Sequence, residues 1–144
     1  MALRQILAEI DDLSRRISKT VHYQQFVLDQ ASKAKLLRRF PPKFSQSIAH
    51  HITEHFDVPA DSGTPNKPHT VKVVGYASDE YLECVVCEVD GKLKAPDGRT
   101  YHVTLSLDPS HRESNDSNKV IAQGWERVTP FSLDVHPEKA QYDT

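Results

Sequence analysis

Two short stretches of the chain say nearly the same thing. AHHITEH runs from Ala49 to His55, and YHVTLSL runs from Tyr101 to Leu107. Each carries a histidine, an apolar residue and a threonine: His51-Ile52-Thr53 and His102-Val103-Thr104. Imidazole titrates near neutrality, so a pair of them can supply a base and an acid from one residue type. The neutral member takes a proton from an attacking water or hydroxyl. The protonated member gives one to a leaving oxygen. Threonine hydroxyls can donate to the non-bridging oxygens of a phosphate. Together these four side chains suit phosphoester chemistry that requires no metal.

Such a set works only if the backbone aims it. Along a β-strand, residues i and i+2 share a face. His51 and Thr53 then point one way, with Ile52 and Phe56 pointing into a core. His102 and Thr104 point together, with Val103, Leu105 and Leu107 on the other side. If the two strands lie close in one sheet, four polar groups converge on one groove. His50 falls on the face opposite His51 and reads as structural. His55, two residues past Thr53, shares the active face and flanks the groove. Ser106 holds the matching position after Thr104. A single His-x-Thr is an ordinary strand sequence, since threonine favours strands anyway. The weight here comes from the pair.

Further substrate contacts follow from position. The loop DPSHRESNDSNK comes directly after the second motif and is placed to wall a pocket. Arg112, Ser117, Asn118 and Lys119 are its candidate contacts to phosphate or ribose, although Asn118 can equally cap the turn that follows. Tyr23 and Tyr101 can stack on a base or serve as core or edge aromatics. Trp125, the sole tryptophan, has the same two options.

The elements that must hold these residues are legible from periodicity. Leu3, Ile6, Leu7, Ile10, Leu13 and Ile17 recur at helical spacing, which predicts an amphipathic helix over roughly residues 2 to 18 of an N-terminal segment 1–20. That helix packs on its own domain or joins a second copy in a homodimer. YQQFVLD reads as a strand. SKAKLLRRF reads as a short helix stopped by Pro41-Pro42. Its Lys33, Lys35, Arg38 and Arg39 form a solvated face, or in part a lure for a phosphate-bearing substrate. HHITEHF, TVKVVGYAS, YLECVVCEV and YHVTLSLD are further strands, with a Pro-Asp-Gly turn at 96–98. Asn118 to Gln123 forms a helical turn, WERVTPFSLDVHP gives one more strand, and 137–144 is a loose tail. Five or six strands and one to three helices, without crossover helices between strands, predict one α+β domain with mainly antiparallel sheets.

Composition narrows the partners. The chain has 144 residues, 18 basic and 20 acidic, and a formal net charge of −2. This argues against a sequence-independent duplex binder but leaves room for a pocket that holds one phosphate. Cys84 and Cys87 are the only cysteines. In a strand, residues three apart face opposite ways, so they read as ordinary strand cysteines rather than a redox pair or half of a zinc site. A reducing, cytoplasmic setting fits them. No apolar run is long enough for a membrane span or a secretory signal.

The paired H-I-T and H-V-T on strand-like segments resemble the signature of the two-histidine (2H) phosphoesterase superfamily. The resemblance covers about 23 to 107, where strand, helix and motif strand follow in the family's order. It implies a pseudo-symmetric α+β fold with a central groove, a site made of His51, Thr53, His102 and Thr104, and no cofactor. It implies opening of 2′,3′-cyclic phosphates or cleavage of 2′-linked phosphodiesters, on RNA ends, short oligonucleotides or cyclic nucleotides, in RNA processing or repair. One departure stands out. His102 lies 51 positions after His51, and the stretch between reads as strands and turns, so the two halves are unequal. Two other functions fit the same residues. One is a catalytically silent module that binds a nucleotide or RNA end. The other is a metal-binding enzyme that uses His51, His55 and His102 as zinc ligands.

Overall fold

Antiparallel pairing of β-branched and apolar segments builds nearly the whole structure. A computed structural model describes residues 20–143. The predicted helix over 2–18 lies outside the described residues. Eight strands and two α-helices follow in the order β1 (Thr20–Leu28), α1 (Gln30–Arg39), β2 (Gln46–Ser47), β3 (His51–Val58), β4 (Val71–Ser78), β5 (Leu82–Val89), β6 (His102–Leu107), α2 (Ser117–Ala122), β7 (Glu126–Ser132) and β8 (Val135–Asp143). A 3₁₀ turn at Ser114–Asp116 leads into α2. The strands form two sheets, ordered β3-β1-β8 and β2-β6-β5-β4-β7. Every pairing between named strands is antiparallel. The fold is thus α+β with two antiparallel sheets. Among the described residues, no helix is long and apolar enough to cross a membrane.

The tail departs from expectation. Residues 137–144 read as loose, yet β8 pairs along the whole of β1, from Thr20 opposite Asp143 to Leu28 opposite Val135. The reason is that β1 needs a second neighbour. With β3 on one side only, its other row of N–H and C=O groups has no partner. WERVTPFSLDVHP accordingly holds the whole of β7 and the start of β8, not one strand.

Two apolar clusters form the core. The first takes Phe26 and Leu28 from β1, Leu36 from α1, Ile52 from β3, and Val73, Val85, Cys87, Val103 and Leu105 from the larger sheet. It therefore lies beneath both motif strands at once. The second takes Val74, Ala77, Leu82, Cys84, Val86 and Leu107, covered by Val120 and Ile121 of α2. Alternate residues of one strand fall in different clusters, as the pleat requires. Cys84 and Cys87 accordingly face opposite ways, and both are buried and unbridged. Burial pushes the Cys84 thiol up to about 12 and the Cys87 thiol well above its usual value.

The chain passes from the larger sheet to the smaller one between β2 and β3. Ile48 N–H donates to the Leu105 carbonyl at 2.8 Å, and Ala49 N–H donates to the Thr104 carbonyl at 2.9 Å. Ala49 then takes a left-handed backbone, with φ of 43°. Leu28 N–H next donates to the His50 carbonyl at 2.9 Å, and β3 begins at His51. The start of one motif strand is thereby stapled to the middle of the other.

Candidate functional site

His51, Thr53, His102 and Thr104 line one cavity of about 300 Å³. They reach it from two different sheets rather than from one, because the crossing at Ala49 sets β3 beside β6 as the sheets part. Ile52, Val103 and Leu105 lie in the shared first cluster, so both His/Thr faces turn away from the same core. Tyr23, Ile48, Phe56, Arg99, Thr100, Glu113, Ser114, Asn115 and Asn118 complete the wall.

Each motif strand carries a β-bulge just past its threonine, and this decides which other residues reach the cavity. On β3, Gln25 pairs with Thr53 and Gln24 with His55, so Glu54 is the extra residue. A bulge of this kind puts two residues opposite one and shifts the side-chain alternation that follows. His55 therefore lies outside the cavity, where its Nδ1 sits 3.2 Å from the Phe56 carbonyl. Phe56, expected in the core, lines the cavity instead. Glu54 is fixed by Tyr101, whose hydroxyl donates to its carboxylate at 2.5 Å. Tyr101 itself is buried and does not line the cavity.

The same thing happens on β6. Glu83 pairs with Ser106 and Cys84 with Thr104, so Leu105 is the extra residue. Ser106 turns to the core side, fully buried, and bonds the carboxylate of Glu83. That buried carboxylate also accepts from the Tyr76 hydroxyl at 2.9 Å and from Lys43 N–H at 2.8 Å. Leu107, expected beside Val103 and Leu105, falls in the second cluster. The shared face is thus limited to the His-x-Thr tripeptides themselves.

Hydrogen bonds define the state of each group. His102 Nδ1 lies 2.8 Å from the Thr100 carbonyl. A carbonyl only accepts, so Nδ1 carries the hydrogen and the neutral ring keeps its lone pair on Nε2. Burial holds His102 below the ordinary imidazole value, opposed by that bond and aided by the nearby Arg99 charge. His51 is depressed from 6.5 to about 4, first by burial, then by His50 and His102. His50 is no bystander, since its Nδ1 is 3.0 Å from Nδ1 of His51, with the rings edge to face. Of the two facing Nδ1 atoms, one donates the hydrogen of this contact and the other accepts it. Thr104 Oγ1 lies 2.8 Å from the buried Ser117 hydroxyl at the start of α2. The Thr53 hydroxyl has no hydrogen-bond partner among the described residues.

No family model, no curated protein and no solved structure matches this chain. What the site can do therefore rests on its own geometry.

The other sequence-derived candidates separate. Tyr23 lines the cavity, with its ring 6.0 Å from that of His51, and Asn118 lines it too. Arg112 does not. It bonds Asp79 through Nε at 3.0 Å and Nη2 at 2.7 Å and lies over Tyr81, which makes it an anchor for its loop. Lys119 is exposed and pairs with Asp116 at 3.3 Å. Trp125 lines a neighbouring cavity rather than this one. Lys35, Arg38 and Arg39 of α1 flank Phe131 at a depression that shares no residue with the histidine cavity. The three-histidine zinc set does not assemble, because His55 faces elsewhere. No other group of three His, Cys, Asp or Glu residues suited to a metal occurs among the described residues.

Arg99 and Thr100, like Ile48, Phe56 and Asn115, are cavity residues that sequence reasoning did not single out. The turn at 96–98 positions them: Gly98 adopts φ of 87°, its N–H donates to the Ala95 carbonyl at 2.9 Å, and Ala95 N–H donates to the Arg99 carbonyl at 2.8 Å. Arg99 lies over Phe56, with 4.7 Å from Cζ to the ring centroid. Among the described residues it is the only arginine or lysine that lines this cavity. A usable signal was present, since an arginine three residues before the motif histidine follows a strong turn.

Proposed function

We propose that the chain is a metal-independent phosphodiesterase of the two-histidine type. Its substrates are 2′,3′-cyclic phosphate ends of RNA or small 2′-linked or cyclic nucleotides. One observation carries this reading: two His-x-Thr faces from separate sheets meet in a single cavity that also holds one arginine.

The residues then take distinct roles. His102 is the base, since its Nδ1–H is spent on the Thr100 carbonyl and Nε2 keeps the lone pair. His51 is the acid, protonated when the phosphate anion enters and supplies the opposite charge. Water attacks phosphorus as His102 takes its proton. The new P–O bond forms, the bond to a ribose oxygen breaks, and His51 gives its proton to that oxygen. The Thr104 hydroxyl, 2.8 Å from that of Ser117 and donating to the Ser114 carbonyl at a long 3.5 Å, turns its hydrogen to a phosphate oxygen when substrate enters. Thr53 donates from the opposite wall. Arg99 offsets the charge that develops on the phosphate.

A second reading keeps the same ligand without turnover. The depressed affinity of His51 for a proton favours it, because hydrolysis must first create an imidazolium. The two readings part on one experiment. The chain is incubated in EDTA with 2′,3′-cyclic nucleotides and with 2′,5′- and 3′,5′-linked dinucleotides, and products are weighed by mass spectrometry. Hydrolysis of a cyclic or 2′-linked substrate supports the phosphodiesterase. Binding without product across the whole panel supports the silent module.

A further inference from the structure

A second cavity adjoins the histidine cavity. It is larger, at about 550 Å³, and the two share Arg99, Thr100, Asn115 and Asn118 as a common wall. Its far side is made by Lys94, Ile121, Ala122 and Trp125. Among the described residues it thus brings together a flat indole, two cations and two side-chain amides, and no carboxylate lines it. The amides offer both donors and acceptors, as the edge of a base requires. Lys94 Nζ donates to Thr100 Oγ1 at 2.9 Å, on the same wall that carries Arg99.

The indole is seated by the backbone. A Cβ on Gly75 would lie 2.2 Å from Cε3 of Trp125 and 2.5 Å from Cζ3. Only glycine leaves room for the ring against β4, and Gly75 sits where the register of β4 shifts against both of its neighbours. Arg127 lies over the indole at 5.4 Å from Cζ to the centroid. A tryptophan held this way, half-buried and walling a cationic cavity, is a platform on which a base can stack.

We propose that this second cavity is a stacking subsite for the nucleotide adjacent to the one in the histidine cavity. The preferred substrate is then a single-stranded RNA that spans both cavities, not a mononucleotide. Arg99 stands at the junction, where the linking phosphates pass. This inference rests on the phosphodiesterase reading for its kinetics, but the subsite itself can be tested without turnover.

Trp125 is the only tryptophan, so fluorescence excited at the red edge of its absorption, where tyrosine does not absorb, reports on this subsite. A 2′-O-methylated pentanucleotide, which resists cleavage, should quench it saturably, while 3′-AMP at the same concentration should not. In kinetics, Trp125→Ala should lower kcat/KM for an oligonucleotide ending in a 2′,3′-cyclic phosphate by about 5- to 100-fold. It should leave the cyclic mononucleotide within about twofold, and that retained turnover shows the variant is folded. Should the variant fail to fold, quenching of the wild type decides. Absence of quenching by the pentanucleotide, or equal loss on both substrates, overturns the subsite. If nothing is hydrolysed yet the pentanucleotide still quenches, the subsite stands and the phosphodiesterase reading falls.

Discussion

The main-chain N–H of Ala49 donates to the carbonyl of Thr104 at 2.9 Å, two residues before the first motif histidine and within the second motif. This bond ties the motifs together across two sheets. It requires Ala49 to be fully buried and to hold φ of 43°, a left-handed conformation costly for any residue with a Cβ. Ala49→Gly should fold with unchanged or slightly raised stability, since glycine carries no such cost. Ala49→Val should lose roughly 2–3 kcal/mol from strain and overpacking. Urea midpoints check both. An unaltered midpoint for the valine variant would contradict this role for the crossing.

Thr104 and Ser117 should separate chemistry from folding. Thr104→Val removes a donor to the phosphate and should cut kcat by about 10²–10³-fold. It should cost only about 1 kcal/mol of stability for the lost hydrogen bond. Ser117→Ala should show a similar small loss of stability with a milder effect on kcat. Steady-state rates beside thermal melts give the comparison. Full activity in the valine variant would remove Thr104 from the mechanism.

At the Glu54 bulge the buried Tyr101 hydroxyl donates to the Glu54 carboxylate at 2.5 Å. Glu54→Ala leaves a buried tyrosine hydroxyl without its partner and should cost about 1–3 kcal/mol. Tyr101→Phe removes donor and penalty together and should cost less. A double variant close to the Glu54→Ala value would show that the pair acts as a unit. Additive losses in urea denaturation would argue against it.

The histidines should make both stability and rate depend on pH. In the unfolded chain His51 takes up a proton near 6.5, but in the fold it waits until about 4. Between those values the unfolded chain binds more protons. Stability is therefore full above about pH 6.5 and falls as the pH drops toward 4. His102, depressed in the same direction, adds to the slope. His51→Gln should flatten the difference between the urea midpoints at pH 7 and pH 5. Because both values are lowered, kcat/KM should follow a bell with its optimum on the acid side of 6.5. An optimum above pH 8, or an unchanged slope in His51→Gln, would contradict the assignment.

Alternation in the sequence made His51, Thr53, His102 and Thr104 legible as two polar faces, because a tripeptide is too short for register to drift. It also separated Cys84 from Cys87. It failed one step further along each strand. The bulges at Glu54 and Leu105 sit beside tertiary partners, the Tyr101 hydroxyl and the buried Glu83 network, which no local pattern announces. That is why His55 and Ser106 were expected in the groove and Phe56 outside it. β8 was missed because EKAQYDT is polar and becomes a strand only against the open edge of β1. His50 was read as structural on the opposite face, and its ring contact with His51 was not foreseen, because strand parity describes faces and not contacts between adjacent rings.

The most direct test of the paired-histidine mechanism is single-turnover hydrolysis of a 2′,3′-cyclic nucleotide in EDTA, for the wild type, His51→Ala, His102→Ala and the double variant. Acid–base catalysis by positioned groups is worth about 10²–10⁴-fold each. Each single variant should lose at least about 10²-fold, and the double variant little more, as expected of groups that act as a unit. Turnover at the wild-type rate in both single variants would contradict the mechanism.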